Sequence, residues 1–550
     1  MSKSTLQIHP DDNLLVALTD LEAGEAVFGG DQTVTVMESV PAKHKLALYD
    51  LKAGDKIYMY GVLVGTVTED VPQGGLLTTQ NTKHEASQYS IGHAQKNWTA
   101  PDVSRWKEKT FMGYHQPDGQ VGTANYWLVV PLVFCENRNV NTIKNAFMKE
   151  LGYADIDMYE EYVSSLVQLY KEGKTDQIEQ MPEPPVKSDL KKTEPIFKNV
   201  DGIKFLTHEG GCGGIRQDSE ALCALLAGYI YHPNVAGATV LSLGCQNAQI
   251  EMLTDKIHNL TSDLQKPLHI FEQQQSGTEY EMLTSAIRKT FLGLVEANKN
   301  ERKPAPLSKL TVGMECGGSD GFSGISANPS IGHAGDLITA LGGSVILSEF
   351  PELCGVEQEL IDRTSDEEVA QKFVSLMKSY SDAAEASGSG FDMNPSPGNI
   401  KDGLITDAMK SAGAAKKGGT SPVNAVLDYT EYVRKPGLNL LCTPGNDVES
   451  TTAMAGSGAN IILFTTGLGT PTGNPVAPVA KVSSNSELAK RMPDIIDIDT
   501  GPVIKAEKTI EEMGEEILDY IIDLASGRVK TKAMLLNQDD FIPWKRGVSL

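Results

Sequence analysis

Strand, glycine-rich turn and helix alternate through most of this chain, and that alternation limits the fold more than any other feature. ATVLSLG (238–244) reads as a buried strand between two helices. KLTVGMEC, which ends at residue 316, precedes a glycine-rich loop, a helical stretch over 332–343 and the strand SVILSEF. Such alternation is typical of βαβ units and a parallel sheet. We therefore predict α/β domains with largely parallel sheets from about residue 111 onward.

The N-terminal segment has a different pattern, in which short β segments alternate with glycine- and aspartate-rich turns. Frequent turns between short strands indicate a small all-β module. Because 550 residues exceed what one core usually organises, several domains are expected. We predict a β module over 1–85, a polar linker over 86–110, a first α/β domain over 111–305 with an amphipathic insertion at 150–200, and a second α/β domain over 306–550.

The charge balance limits the partners of the chain. It has 72 acidic and 48 basic side chains, a formal net charge of −24. This excess argues against binding to nucleic acid or to an anionic membrane surface, whereas a small anionic substrate needs only a local cationic pocket. The start of the chain has no secretory signal pattern, and seven cysteines fit reduced thiols. We expect a cytoplasmic protein without a membrane or nucleic-acid partner; a homo-oligomer is left open.

Unusual polar residues and cysteines follow directly after predicted strands. In open parallel sheets, ligands bind outside the carboxyl ends of the strands. Cys135, Cys212, Cys245 and Cys316 all occupy such positions, and His208 precedes Cys212 by four residues. Thiolate and imidazole ligands suit iron or zinc better than magnesium. The alternative is packing, because buried free cysteines often behave as small hydrophobic residues. Packing is the stronger interpretation for Cys223, and Cys354 is also a weak candidate.

Other familiar site patterns are missing from the sequence. The glycine clusters GGCGG and GGSDGFSG could cradle an anion with backbone N–H groups. Neither is followed by GK[ST], and no GxGxxG opens a first βα turn, which disfavours nucleotide binding. A GxSxG elbow is also missing, so a serine-nucleophile hydrolase is not supported. A carboxylate-bearing substrate is the simplest occupant of the glycine clusters.

The strand-end segments resemble, over nearly the full length of the chain, the altronate/galactarate dehydratase family. The resemblance includes HEGGCGG (208–214), HPNVAGATVLSLGCQN (232–247), ECGGSDGFSGISANP (315–329), LNLLCTPGND (438–447) and FTTGLGTPTG (464–473). It implies an N-terminal SAF-type β-clip module and α/β catalytic domains that require a divalent metal, commonly Fe²⁺, with Mn²⁺ as the alternative. The implied reaction removes water from an altronate-like aldonate to give a 2-keto-3-deoxy acid. A galactarate-type aldarate dehydratase, another hydroxy-acid lyase and a non-catalytic sugar-acid sensor are the alternatives.

The resemblance and the strand-end positions together suggest roles for individual residues. The expected metal ligands are His208, Cys212, Cys245, Cys316 and Cys135. The expected catalytic residues are Glu315, Asp320 and His208. The expected substrate-binding residues are Asn125, Ser319, Asn446, His44 and Lys45.

The chain departs from the family pattern at two places. Ala124 stands where the family usually has an arginine, so a guanidinium that could pair with a substrate carboxylate is missing there. The β module ends in Thr78-Thr79-Gln80-Asn81, where the family usually has an H-x-H-N motif. His84 is a hypothetical substitute for the missing imidazoles. The first departure leaves the exact acid open, and the second leaves the role of the module open.

Overall fold

Short antiparallel strands build the N-terminal module. The computed structural model describes residues 4–30, 32–92, 98–154, 158–184 and 194–549. The strands of the module are β1 (Thr5–Leu6), β2 (Leu14–Ala17), β3 (Ala26–Gly29), β4 (Gln32–Thr35), β5 (Lys45–Ala47), β6 (Lys56–Met59), β7 (Val62–Val67), β8 (Leu76–Leu77) and β9 (Thr82–Lys83). They form the sheets β1-β2-β5-β8 and β6-β7-β9 and the hairpin β3-β4.

The module has a hydrophobic core of its own. In β3 and β6 every second residue is buried, as expected for strands with one face on a core. Leu15, Val27 and Leu46 belong to this core. Gly74 has a φ of +78°, and a β-carbon there would lie 1.9 Å from the Thr35 carbonyl oxygen, so the turn requires glycine. The prediction of a small all-β module is confirmed.

A four-stranded parallel sheet organises the next part of the chain. Its order is β13-β12-β14-β15. The strands here are β10 (Thr110–His115), β11 (Val121–Gly122), β12 (Tyr126–Pro131), β13 (Gly202–Phe205), β14 (Val235–Ser242), β15 (Leu268–Glu272) and β16 (Arg302–Pro306). The helices are α1 (Asn137–Met148), α2 (Met158–Lys171), α3 (Arg216–Tyr231), α4 (Ile250–Leu260) and α5 (Glu279–Ala297).

Strand β12 shows why this sheet is covered on both faces. All six of its residues are buried. Trp127 and Val129 pack in the core that includes residues of α1 and α5, whereas Leu128 and Val130 pack in the core that includes residues of α3 and α4. A strand buried on both sides needs continuous apolar sequence, as in YWLVV. The parallel arrangement is therefore as predicted.

Two features of this region were not predicted from the sequence. Strands β11, β10 and β16 form a separate antiparallel sheet, which the pattern did not indicate because Pro304 and Pro306 in β16 argue against a strand. Within the predicted polar linker, Trp106 is fully buried and its Nε1 donates to Asp519 Oδ1 at 2.9 Å. This stretch of chain is therefore anchored. Residues 93–97 of the predicted linker and residues 155–157 and 185–193 of the predicted insertion lie outside the described residues.

A seven-stranded parallel sheet, in the order β19-β20-β18-β17-β21-β22-β23, organises the last part. Its strands are β17 (Thr311–Cys316), β18 (Ser344–Leu347), β19 (Val423–Leu427), β20 (Gly437–Leu441), β21 (Ile461–Thr466), β22 (Val479–Ser483) and β23 (Ile498–Asp499). The helices are α6 (Ala327–Ala340), α7 (Glu357–Ile361), α8 (Glu367–Ala386), α9 (Pro397–Lys401), α10 (Asp407–Ala414), α11 (Asp447–Gly456), α12 (Ser486–Arg491), α13 (Gly501–Ile504), α14 (Ile510–Ala525) and α15 (Lys532–Leu535).

Helix packing joins the two α/β parts. Helix α11 of the seven-stranded sheet packs against α3 of the four-stranded sheet. Their backbones approach closely, because a β-carbon on Gly228 would lie 2.0 Å from the Gly456 carbonyl oxygen. Helices α6 and α14 pack together on the larger sheet. In the described part of the chain, every helix is too short or too polar to cross a bilayer.

Candidate active site

Three carboxylates meet at the carboxyl edge of the seven-stranded sheet. Glu315 lies near the end of β17, Glu349 follows β18, and Asp447 begins α11 after β20. Strands β20, β18 and β17 are neighbours in the sheet, so their ends converge. One carboxylate oxygen of each residue lies within 4.8 Å of the other two. We call Glu315, Glu349 and Asp447 the acidic triad.

Glu315 is fully buried, and its two oxygens have different surroundings. Oε2 accepts hydrogen bonds from Ser450 Oγ at 2.6 Å and from Ser348 Oγ at 3.2 Å. Among the described residues, no N–H or hydroxyl group donates to Oε1. Burial and the nearby Glu349 carboxylate raise the pKa of Glu315 well above its ordinary value. Glu315 Oε1 therefore needs either a proton or a cation as its partner.

Glu349 is held in a strained backbone conformation. Its φ of +65° is left-handed, which costs a non-glycine residue about 1–3 kcal/mol. The Glu349 N–H donates to Thr443 Oγ1 at 2.9 Å, and Lys417 Nζ donates to Oε2 at 2.6 Å. Apart from a proton that it can share with the Glu315 carboxyl, no described N–H or O–H group donates to Oε1. These contacts fix the carboxylate beside Glu315 and leave one oxygen of it for a further partner.

A buried ion network lies behind the triad. Cys316 Sγ is 2.8 Å from Lys417 Nζ and 3.2 Å from Glu352 Oε2. Lys410 Nζ pairs with Glu352 Oε1 at 2.6 Å. Burial raises the pKa of the Cys316 thiol. Burial would also raise the pKa of Glu352, but the ammonium groups of Lys410 and Lys417 outweigh it and bring that pKa to about 2.

The charges at this edge do not cancel. When all are ionised, the four carboxylates of Glu315, Glu349, Glu352 and Asp447 face two ammonium groups, which leaves two negative charges uncompensated. Buried charges are stable only when they are paired or bind metal. Two excess negative charges beside carboxylate oxygens that lack a donor suit one divalent cation. The acidic triad can therefore hold such a cation with Glu315, Glu349 and Asp447 as ligands.

Asp447 is the half-buried member of the triad. Burial, with the nearby Glu349 and Glu352 carboxylates, raises its pKa to about 7. Gly317, directly after β17, lies against it: a β-carbon on Gly317 would be 2.0 Å from Asp447 Oδ2 and 2.6 Å from the Phe464 ring. The glycine thus allows the Asp447 carboxylate to reach the triad.

We expect Gly317→Ala to lower the affinity of the protein for Mn²⁺ at least about tenfold, because the new methyl group must displace the Asp447 carboxylate. Isothermal titration of Mn²⁺ into the full chain would measure this. Gly398→Ala is the matched control, because nothing lies closer than 3.9 Å to the added carbon there. Equal Mn²⁺ affinity in both variants would contradict the assignment of Asp447 as a ligand.

The β module contributes a second polar cluster through Lys43. The Lys43 ammonium lies 3.1 Å from Asp320 Oδ2 and 2.9 Å from Asp402 Oδ1. Asp320 is fully buried, and its Oδ1 accepts from Ser323 N–H at 2.9 Å and from Ser484 Oγ at 2.8 Å. Asp320 was expected from the sequence to be catalytic; here it joins the module to the glycine-rich loop after β17.

His44 and Lys45, which were expected to bind substrate, lie at the same junction. His44 Nε2 is 3.1 Å from the Lys401 carbonyl oxygen, and burial lowers the pKa of His44. Lys45 is fully buried and donates to the carbonyl oxygens of Lys43 and Gly403. Burial lowers the pKa of Lys45 to about 7. This edge of the module therefore carries less positive charge near neutral pH than its sequence suggests.

The remaining expected substrate-binding residues lie in different places. Ser319 is buried after β17, and its carbonyl accepts from Asn399 Nδ2 at 2.8 Å. Asn446 is exposed beside the triad, and its Oδ1 caps the start of α11. Asn125 precedes β12 and is fully buried, with Nδ2 donating to the Ala297 carbonyl at 3.0 Å. The structure brings Ser319 and Asn446 to the edge that holds Glu315, but not Asn125.

The expected metal ligands fall into two groups. Cys316 lies with Glu349 and Glu352 within 4.8 Å. Cys135, Cys212 and Cys245 follow β12, β13 and β14, which are neighbours in the smaller sheet, and all three thiols are exposed and free. Among the described residues, none of these three cysteines belongs to a group of three potential metal ligands within 4.8 Å of one another. We call Cys135, Cys212 and Cys245 the thiol edge.

Backbone hydrogen bonds hold the loops of the thiol edge together. Phe134 N–H donates to the Gly210 carbonyl at 3.1 Å, and Asn247 N–H donates to the Gly211 carbonyl at 2.9 Å. His208 is buried, with Nε2 2.8 Å from the Pro131 carbonyl oxygen and Nδ1 accepting from Gly210 N–H. Burial lowers the pKa of His208, which favours the neutral ring. Both ring nitrogens of His208 thus already have partners.

Sequence reasoning missed several residues of this site. Glu349 and Asp447 belong to the strand-end segments SEFPE and CTPGND, so their positions were available as a signal. Lys417 lies in AAKKGG, a stretch with no strand before it, and only the tertiary structure brings it to Cys316. The sequence pattern also gave no reason to assign Lys43 to the site, although its ammonium pairs with Asp320.

Comparison with known proteins agrees with this architecture. Three family profiles match: the altronate/galactarate dehydratase SAF domain over residues 3–85, the second domain of D-galactarate dehydratase/altronate hydrolase over 113–298, and the C-terminal D-galactarate/altronate dehydratase domain over 307–549. Altronate dehydratase of Bacillus subtilis is 32% identical over 96% of both chains. Altronate dehydratase of Escherichia coli K12 is 32% identical over 95% of both chains. Galactarate dehydratase (L-threo-forming) of the same organism is 30% identical over 96% of this chain and 93% of its own. With these matches along nearly its whole length, the chain belongs to the altronate/galactarate dehydratase family.

Proposed function

We propose that this protein is a metal-dependent dehydratase that removes water from an altronate-like aldonate and releases a 2-keto-3-deoxy acid. The observation that carries the proposal is the acidic triad, whose three carboxylates lie within 4.8 Å of one another and include oxygens of Glu315 and Glu349 that accept no hydrogen bond from an N–H or hydroxyl group of the described residues. The altronate dehydratases among its relatives support the substrate class. The site thus combines a cation-binding geometry with a family whose members act on sugar acids.

The reaction explains why the site is acidic and buried. Removal of the proton next to a carboxylate creates a second negative charge on the substrate, which must be stabilised as it forms. A divalent cation, Fe²⁺ or Mn²⁺, bound by Glu315, Glu349 and Asp447 would supply this stabilisation as a Lewis acid. Lys417 holds Glu349 in place, and Ser348 and Ser450 hold Glu315. The protein side of the centre is therefore organised before substrate arrives.

Proton transfer needs a group that titrates near neutral pH. Asp447 is half-buried and has a pKa of about 7 in the cation-free site, so it can take this role in a state in which Glu315 and Glu349 hold the cation without it. Glu315 shares this edge and is the second candidate for the role. Asp320 acts as a positioning residue, because both of its oxygens already accept hydrogen bonds from the chain. Ser319 and Asn446 lie at this edge, and His44 and Lys45 lie at the module junction; we propose substrate contacts for these four residues.

The thiol edge is a second candidate site for iron. Cys135, Cys212 and Cys245 present exposed thiols at the ends of three adjacent strands, with His208 beside them. Thiolates favour iron over magnesium. Iron analysis of Cys245→Ser and Glu315→Gln separates the two sites: loss of iron only from the cysteine variant places it at the thiol edge. Loss only from the glutamate variant places it at the triad.

Anaerobic turnover tests the function directly. Protein loaded with Fe²⁺, Mn²⁺ or Mg²⁺, beside a chelated control, is given altronate and galactarate, and the 2-keto-3-deoxy product is followed. Metal-dependent product from altronate is the expected result. Metal-replete protein that binds both acids without turning either over would be a sensor and would overturn the proposal.

A galactarate-type aldarate dehydratase is the second candidate. The galactarate dehydratase of Escherichia coli K12 is 30% identical, close to the value for the altronate dehydratases. Ala124 stands where the family usually has an arginine, whose guanidinium could pair with a substrate carboxylate. The residue at this position therefore bears on whether the substrate has one carboxylate, as altronate does, or two, as galactarate does. If the protein prefers galactarate to altronate in the same assay, galactarate becomes the proposed substrate, and the proposed reaction, removal of water, stays the same.

The pH dependence of cation binding follows from Asp447. Since protons compete with a cation for the Asp447 carboxylate, whose pKa is about 7, we expect this group to make Mn²⁺ affinity rise by up to about tenfold per pH unit below pH 7, in addition to any rise that comes from Glu315. Folding raises this pKa from 3.8, so the cation-free fold loses stability as pH rises towards 7. Mn²⁺ titrations across this range measure the effect. Asp447→Asn should flatten the profile, and an unchanged slope in that variant would rule out Asp447 as its source.

A further inference from the structure

A histidine, a cysteine and an aspartate meet where the β module contacts the last α/β domain. His84 follows β9 of the module, Cys354 follows β18, and Asp407 begins α10. One ligand atom from each lies within 4.8 Å of the other two. His84 and Cys354 are half-buried and Asp407 is buried, with 1% of its surface exposed. We call these three residues the junction triad.

Asp407 shows that the junction triad is electrostatically incomplete. Apart from the neighbouring Cys354 thiol, no described group donates a hydrogen bond to either oxygen of its carboxylate. Lys410, in the same helix α10, pairs with Glu352 Oε1 at 2.6 Å rather than with Asp407. In the Cys316 network, by contrast, Lys410 and Lys417 neutralise the buried acids. A buried carboxylate without such a partner is costly unless another positive group is present.

The surrounding packing keeps the three side chains together. Thr406 Oγ1 donates to the Val64 carbonyl of the module at 2.7 Å, directly before Asp407. Ala408 N–H donates to His84 Nδ1 at 3.3 Å, a long and therefore weak hydrogen bond. Gly355, beside Cys354, has a φ of +91°, and a β-carbon there would lie 3.1 Å from Ala408 and 3.2 Å from Ala86. Module and domain thus meet closely at this point.

We propose that the junction triad binds a divalent transition-metal ion of the zinc class, which ties the β module to the last α/β domain. Imidazole, thiolate and carboxylate are the ligands that zinc takes in proteins. With Cys354 and Asp407 ionised and His84 neutral, one divalent ion makes the group electrically neutral. The first turn of α10, where Asp407 lies, favours negative charge and so supports the ionised ligands.

This metal site is separate from the acidic triad, and the inference does not rest on the dehydratase function. It shares no ligand with Glu315, Glu349 and Asp447, and it uses softer ligands. Its consequence is structural: metal should link residues that are far apart in the chain. Removal of the metal should therefore loosen the module from the domain.

Metal stoichiometry and cobalt spectroscopy test the proposal on the full chain. Zinc bound per chain is measured by elemental analysis, and Co²⁺ substitution reports thiolate ligation through its near-ultraviolet charge-transfer absorption. We expect Cys354→Ser, His84→Gln and Asp407→Asn each to lose the same single equivalent of Zn²⁺. We also expect chelator to lower the thermal unfolding midpoint of the parent more than that of Cys354→Ser.

Cys223→Ala is the matched control, because Cys223 is a buried thiol in α3 that belongs to none of the candidate ligand groups. It should keep the parental zinc content and cobalt spectrum. Asp407→Asn keeps the shape of the side chain, so it tests ligation even if another variant folds poorly. Parental zinc content in folded Asp407→Asn, together with an unchanged cobalt spectrum in Cys354→Ser, would overturn the proposal.

Discussion

Replacement of Glu315 by glutamine is expected to lower kcat/KM about a thousandfold, equivalent to about 4 kcal/mol of transition-state stabilisation. The carboxamide keeps the shape and the hydrogen bonds with Ser348 and Ser450, but it removes the negative charge that a cation needs. Affinity for Mn²⁺ should fall in parallel. Steady-state kinetics with saturating Mn²⁺, together with titration of the metal, measures both effects.

Asp336→Asn is the control for Glu315→Gln. Asp336 is also a buried carboxylate, but its oxygens accept hydrogen bonds from Thr420 and Ser421, away from the triad. We expect this variant to be less stable and to keep the kcat/KM and metal affinity of the parent. If Glu315→Gln behaves in the same way, the acidic triad is not the catalytic centre.

Replacement of Asp320 by alanine is expected to destabilise the fold by about 3 kcal/mol, because it removes one partner of a buried ion pair. Backbone N–H groups of Phe322 and Ser323 and the side chain of Ser484 also lose their acceptor. The unfolding midpoint should fall by roughly 6 °C or more. We expect kcat/KM to fall at least about a hundredfold, since the loop that begins at Gly317 loses its anchor.

A double-mutant cycle separates the ion pair from the loop contacts. Lys43→Met removes the ammonium that Asp320 and Asp402 share, and Asp320→Asn removes the charge from the other side. The two changes should be non-additive in unfolding midpoint, because they break the same contact. Strict additivity would mean that the β module is not held through this pair, and an active Asp320→Ala protein would remove Asp320 from the site.

The sequence predicted the fold well where apolar patterns were continuous. YWLVV and ATVLSLG are buried on both faces, and both are parallel strands as expected. The antiparallel sheet with β16 could not be predicted, since its two prolines obscure the strand and its partner β10 lies far away in the chain. The burial of Trp106 could not be predicted for a related reason, because its hydrogen-bond partner Asp519 lies far away in the chain, in the last long helix.

The site was only partly predictable. The rule that ligands bind at strand ends led to Glu315, Cys316 and Asn446, which do share one edge. It also grouped Cys316 with Cys212, although Cys316 ends a strand of the seven-stranded sheet and Cys212 follows a strand of the four-stranded sheet. Sequence position gives the end of a strand but not the sheet to which it belongs. Lys417 could not be found in this way, because its role depends on charge pairing across the fold.

The docking of Lys45 has a consequence for how the protein is made. This side chain is buried against Gly403, a residue 358 positions later in the chain. At a synthesis rate of about 5–20 residues per second, Gly403 leaves the ribosome roughly 20 to 70 s after Lys45. During that time the nascent β module must expose the edge that carries Lys43, His44 and Lys45. We therefore expect ribosome-associated chaperones to protect this edge until the final sheet assembles.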